Sequence, residues 1–313
     1  MAGQKAIRQI KQREAAGKRV QTPCDLTYND IQGISICPPA VENTPAWVSQ
    51  PKRTQRKGKL RLPDFDYRTA VQLSRKIAET VGTPRFYSDR SREVSLSREL
   101  FAAEPMMAEA MRIVADQSPG LGHGLVHVEK VAIDGGALLL IEQGGGPLRP
   151  QTRRQVLLIH LAGILHDIKR MEKNHAAVGA EEAGRILSSF PLHRGERLCV
   201  MEAIRNHEAF RPCGRSADPA AQLLCDVLYD ADKFRWGPDN FTETLWAMVA
   251  GRDIPLRTLL PRFLPGLEGI RKIRDSFRTP AGRVYGPDFI DRGLAIGSRL
   301  YAALKELEQR RQP

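Results

Sequence analysis

Leu157-Leu158-Ile159-His160-Leu161-Ala162-Gly163-Ile164-Leu165-His166-Asp167 is an apolar run interrupted by one histidine and closed by a histidine–aspartate pair. It reads as the end of a buried helix over 152–167, with Thr152 at the capping position. Such an element delivers an imidazole and a carboxylate from one support. Neighbouring residues on a helix point about 100° apart, so both side chains reach one point only near a helix end or where other helices close the gap. All seven histidines of the 313-residue chain lie between His123 and His207, interleaved with aspartates. A neutral imidazole offers a lone pair at ordinary pH and is the commonest metal ligand. This quarter of the chain is therefore where a metal site is expected.

Outward from that stretch the pattern stays helical. Strongly helical segments with short Gly- or Pro-marked breaks are predicted over 124–142, 175–190, 196–207, 219–233 and 240–250. Asp218-Pro219 supplies a cap followed by a first-turn proline. Upstream, Asp66 is a candidate cap for a helix ending before Gly82, and a second helix is predicted over 98–116, kinked or divided at Pro105. Downstream, one or two helices are predicted over 256–277, interrupted by Pro261 and Pro265, and a last one over 287–309. Strand-like alternation is scarce and no internal repeat is present. The fold class is all-α: a helical bundle with a basic, largely irregular N-terminal extension and extra C-terminal helices.

The organisation reads as four parts. Residues 1–65 form the basic extension, 66–120 the helical start of the globular domain, 121–250 the metal-binding helical core, and 251–313 C-terminal helices packed on it. The extension carries twelve Lys/Arg against five Asp/Glu, six of the cations between Lys52 and Arg61. A second basic stretch, from Arg252 to Arg278, has seven cations against three acids. Such patches attract nucleic acid or acidic partners, or simply keep a chain soluble. The five cysteines, Cys24, Cys37, Cys199, Cys213 and Cys225, form no CxxC pair and read as reduced thiols. No apolar stretch nears the roughly 20 residues that span a bilayer, and the N-terminus lacks the apolar core of a signal peptide. The expectation is a cytoplasmic protein without a membrane partner.

Other helices offer further ligands. His127 lies in Gly124-Leu125-Val126-His127-Val128-Glu129-Lys130-Val131, His175 opens a helix, His207 closes one, and Asp232 lies in Leu228-Tyr229-Asp230-Ala231-Asp232-Lys233. His123 competes with His127 from the same helical face, and Asp230 competes with Asp232; Asp230 reads as a hydrogen-bonding support for a ligand. His160 reads as a core histidine or as a group orienting Asp167. His193 reads as an exposed loop residue. Tyr229, Phe234, Trp236, Phe241 and Trp246 read as core, with nucleobase stacking as the alternative.

The ordered set of a histidine, a His-Asp doublet and a distant aspartate before a basic residue resembles the HD superfamily of metal-dependent phosphohydrolases. The resemblance covers roughly residues 105–250. His127 with Lys130-Val131 matches that family's first helix, His166-Asp167 its doublet, and Asp232 its last ligand. His175 and His207 fit the extra histidines of its dinuclear branches, in which Asp167 would bridge two ions. This implies an HD-domain-like bundle binding one or two divalent transition metals (Mn, Fe, Co, Ni or Zn), since mixed His/Asp ligation suits these better than Mg or Ca. It also implies a hydrolase cleaving the ester or anhydride bond of a small phosphorylated substrate, a nucleotide, by a metal-activated hydroxide. Asp167, Arg170 and Lys130 are the expected catalytic and phosphate-contacting residues. The Gly-Tyr-Pro signature of cyclic-dinucleotide phosphodiesterases is absent. The same ligands also serve mixed-valent di-iron oxygenases of the superfamily, and a non-catalytic nucleotide- or nucleic-acid-binding role is the third reading.

Overall fold

The computed structural model describes residues 67–117, 122–211, 214–249 and 254–310. The expected N-terminal extension, the Asp66 cap, Cys24, Cys37, Cys213 and the side chain of His123 lie outside the described residues. Among these residues the chain is all-helical, with no strand. In chain order the helices are α1 (Tyr67–Val81), α2 (Phe86–Asp89), α3 (Ser91–Ala103), α4 (Pro105–Gln117), α5 (Gly122–Glu142) and α6 (Pro150–Leu165). They continue with α7 (His175–Ile186), α8 (Arg194–Arg205), α9 (Pro219–Phe234), α10 (Leu245–Val249), α11 (Leu256–Ile273) and α12 (Pro280–Gln309). Among the described residues no helix is long and apolar enough to cross a membrane.

Helices α5 and α6 form the centre. Every residue from Val131 to Leu140, and from Leu158 to His166, is buried. A helix covered on all sides has other helices around its whole circumference, and α3, α4, α8 and α9 supply them. Gly163 lets α6 lie directly on α5: a Cβ there would stand 2.6 Å from the Ala132 Cα. One continuous hydrophobic cluster runs from Ala70 to Leu304, so the three expected helical parts share a core. The C-terminal helices pack on it as expected, α12 touching α1, α5, α9 and α11. Its contact with the turn after α9 is main chain on main chain, because Gly293 and Gly237 bring the two backbones together: a Cβ on Gly293 would lie 2.8 Å from the Gly237 Cα. Beside it the rings of Phe234 and Phe289 stack with centroids 4.1 Å apart.

Several boundaries differ from the sequence reading, mostly at prolines. Pro105 does divide its segment: Glu104 takes the extended conformation that a following proline favours, ending α3 and letting Pro105 open α4. The divided helix starts earlier than expected, at Ser91, after the unanticipated single turn α2. Helix α6 begins at Pro150, not at a Thr152 cap, with Pro150 in the first-turn position. The span 240–250 opens with a π-type turn, Asn240–Thr244.

By contrast, Pro261 and Pro265 do not interrupt α11. They are four residues apart and exposed, so the carbonyls they leave unbonded face water on one side of the helix. The last helix starts seven residues before Pro287, at Pro280, where the Thr279 side chain accepts from the Gly282 N–H. The Asp218-Pro219 start of α9 is as read, Asp218 accepting from the Ala220 N–H at 3.0 Å.

Candidate metal centre

Five segments converge on one cluster of imidazoles and carboxylates. His127 stands on α5, His166 and Asp167 follow the last turn of α6, and His175 opens α7. His207 follows α8, and Asp232 lies in the last turn of α9. The doublet sits where α6 gives way to tighter i→i+3 turns, with Ile168 N–H on Leu165 O and Arg170 N–H on Asp167 O. Both loops that carry ligands contain strained backbone. Asn174, before His175, and Phe210, after His207, have φ of 56° and 60°. Among the described residues they are the only non-glycines with positive φ. Phe210 is the costlier, a bulky side chain in the left-handed region.

The cluster has two halves that share Asp167. His127 Nε2 and His166 Nε2 are 3.2 Å apart. Asp232 Oδ1 lies 3.5 and 3.6 Å from them, and Asp167 Oδ2 3.8 and 3.4 Å. The other oxygen, Asp167 Oδ1, is 3.7 Å from His175 Nε2 and 3.6 Å from His207 Nε2. Donors sharing an ion at bonds of about 2.1 Å stand ~3.0–3.5 Å apart. The spacing in each half is close to that range, and every pair but His127–His166 is beyond good hydrogen-bond length. His127, His166 and Asp232, and separately His166, Asp167 and His207, form groups able to hold a metal ion.

Imidazole orientation is fixed from behind. His166 Nδ1 is 2.8 Å from Gly163 O and His207 Nδ1 2.6 Å from Ile204 O. A carbonyl only accepts, so both Nδ1 atoms carry a proton and both Nε2 atoms face the centre. His175 Nδ1 is held by Glu208 Oε1 at 2.9 Å, the carboxylate–imidazole pairing that orients metal-binding histidines. Glu208 in turn takes Arg211 at 3.0 Å.

Electrostatics describe a site short of positive charge. Burial alone would lower the pKa of His166, but Asp167 and Asp232 overcome it and raise it to about 10. Burial lowers His127 and His207, which the neighbouring carboxylates do not offset. Burial also opposes charge on Asp167 and Asp232; Arg170 with His166, and Lys233 with His127 and His166, reverse it and hold both carboxyls well below the usual range. Arg170 pairs with Asp167 Oδ2 and the buried Lys233 with Asp232 Oδ2. Asp167 Oδ1 has no such partner. It is one of three buried side-chain polar atoms without a hydrogen bond among the described residues, and it faces two imidazole nitrogens.

The structure thus brings together all six residues singled out as ligands, and sets Arg170 on one of them. Lys130, three residues along α5 from His127, is engaged by carboxylates outside the six. That lysine, expected to contact phosphate, is bound by Asp239 at 3.0 Å and Glu243 at 2.9 Å, two carboxylates that more than cancel its charge. Asp230 does not support a ligand side chain. It accepts from Arg278 N–H, Thr279 N–H and Thr279 Oγ1, tying down the start of α12.

His160 is a core histidine, buried and bonded to Ser97 Oγ at 3.0 Å. His193 is exposed at the start of α8, its N–H on Glu196. Of the aromatics, Phe234, Phe241 and Trp246 are core, and Tyr229 is buried with its hydroxyl on Ser276 Oγ; Trp236 is partly exposed.

Two sets of functional neighbours escaped the sequence reading. Glu208 follows His207 directly, and a His-Glu pair at a helix end was the available signal. The other is a buried network in which Arg235, one turn after Asp232, pairs with Asp134 on α5 and with Asp239, while Tyr87 bonds both Arg235 and Asp134 at 2.9 Å. It locks α5 to α9 next to the point where His127 meets Asp232. Compared with known proteins, the chain matches no family model, no curated protein and no solved structure.

Proposed function

We propose that this protein is a metal-dependent phosphohydrolase of the HD type, holding two divalent transition-metal ions across Asp167. The observation that carries the reading is the division of Asp167: Oδ2 faces His127 and His166, and the buried, unpaired Oδ1 faces His175 and His207. A carboxylate that faces two imidazole pairs would serve two ions at once. The donor set fits Mn, Fe, Co, Ni or Zn, whose shells accept imidazole, better than Mg or Ca. His127, His166, Asp232 and Asp167 Oδ2 would hold one ion, and His175, His207 and Asp167 Oδ1 the other. When bound, such ions supply a water acidic enough to ionise near neutral pH and a Lewis acid for phosphoryl oxygens.

The protein's own groups do the rest. Gly163 O, Ile204 O and Glu208 keep three imidazoles turned inward. Lys233 balances Asp232, and Arg170, at the mouth of the cluster, binds a phosphoryl oxygen of a small substrate such as a nucleotide. The test is metal analysis of protein purified without chelator, followed by a phosphoester and nucleotide panel. About two ions per chain and metal-dependent phosphate release are expected, with both lost in Asp167→Ala. Two irons with a mixed-valence electron paramagnetic resonance signal and no release would overturn hydrolysis in favour of oxidation.

A further inference from the structure

We propose that Arg278 is a specificity-determining residue that binds a second, non-reacting phosphoryl group of the substrate at this centre. The inference rests on the phosphohydrolase reading and adds to it a residue from the basic C-terminal stretch. Arg278 lies in the strap between α11 and α12, and three hydrogen bonds of 2.7–2.8 Å anchor that strap to the buried Asp230, two residues before Asp232. Its guanidinium lies over the Tyr229 ring, 3.6 Å from the centroid. Nη1 donates to the carbonyl of Asn206, the residue before His207, at 3.1 Å. The ring is itself fixed, its hydroxyl on Ser276 Oγ at 2.8 Å.

The same ring connects Arg278 to the metal ligands. Lys233 Nζ lies 5.2 Å from the Tyr229 centroid and pairs with Asp232. Arg278 is therefore connected to two ligand positions, to His207 through Asn206 and to Asp232 through the Tyr229 ring and Lys233.

Its bonding differs from that of the other cations around the cluster. Arg170, Arg211, Lys130 and Lys233 each have a carboxylate partner. Among the described residues the Arg278 side chain has none, and its Nε and Nη2 donors have no acceptor. A half-buried planar fork, oriented by an aromatic ring and with donors unused, suits bidentate binding of a phosphate. A phosphoryl group under attack belongs to the metals and Arg170. The group Arg278 can serve is its neighbour.

The test uses the full chain loaded with Mn²⁺ and calorimetric titration with orthophosphate and pyrophosphate. Wild type is expected to bind pyrophosphate at least tenfold tighter than orthophosphate. Arg278→Gln should lose that preference while keeping its orthophosphate affinity and its metal content. Arg278→Lys, which keeps the charge without the fork, should fall between them, and it carries the test if the glutamine variant does not fold. A variant that retains the wild-type preference, or one that weakens both anions equally, overturns the assignment alone. A wild type that takes up no metal overturns the functional reading and the assignment together.

Discussion

Gly163 links helix packing to the candidate metal centre, and Gly163→Ala turns that link into a measurement. Alanine at an ordinary helical site stabilises by about 1 kcal/mol relative to glycine. Here the new Cβ would stand 2.6 Å from Ala132 Cα and 2.7 Å from Ala132 N, main-chain atoms of a buried helix. Relief to the 3.4 Å of ordinary contact requires α5 and α6 to separate by about 0.8 Å. Overpacking of this kind costs about 1–3 kcal/mol, and a main-chain obstacle puts it at the upper end. The net expectation is a loss of about 1–2 kcal/mol and a fall in Tm of about 3–6 °C.

His127 rides on α5 and His166 follows α6, so their 3.2 Å separation opens by a similar amount. Mn²⁺ affinity should then fall on the order of tenfold, as it does when support of a metal ligand is disturbed. Gly184→Ala is the control, because its Cβ meets only the flexible end of Met201, at 2.6 Å from Sδ. That variant should match or exceed wild-type stability. The assays are thermal unfolding and Mn²⁺ titration of both variants. A Gly163→Ala protein as stable and as metal-avid as Gly184→Ala would refute the reasoning.

Two further outcomes follow from buried polar groups. Burial lowers the pKa of His160 to about 3, against 6.5 for the free side chain. The folded state therefore rejects a proton that the unfolded state takes up, and stability is full above pH 6.5 and declines as pH falls towards 3. His160→Gln should flatten that acid limb in urea denaturation by up to about 1.4 kcal/mol per pH unit; an unchanged slope would count against it. Arg235 is 3% exposed between Asp134 and Asp239. Arg235→Met should destabilise by about 3–5 kcal/mol, and adding Asp134→Leu should recover part of this. A single-variant loss below about 1 kcal/mol would show that the network is not structural.

The helices were legible because apolar periodicity and the His-Asp doublet are local signals. The six clustered side chains were legible because residue type and chain order marked them. Prolines were legible where they open a helix, as at Pro105 and Pro219, but not inside one, where their effect depends on which side of the helix meets water: Pro261 and Pro265 face out and leave α11 whole. The partners of Lys130, Asp239 and Glu243, were not legible because they lie 109 and 113 residues away. Arg235 escaped for the same reason, with Asp134 101 residues and Tyr87 148 residues distant. No local pattern encodes pairs of such sequence separation.

The glycine-to-glycine contact between Gly237 and Gly293 has a consequence for how the protein is made. The helix bearing Asp232 ends against a segment synthesised some sixty residues later, as the numbering of Gly237 and Gly293 shows. A nascent chain emerging from the ribosome has every histidine exposed well before that brace arrives. Completion of the candidate site therefore waits for a segment well downstream of its last side chain, and a premature stop between Asp232 and Gly293 would remove that brace while leaving the coding sequence of all six residues untouched.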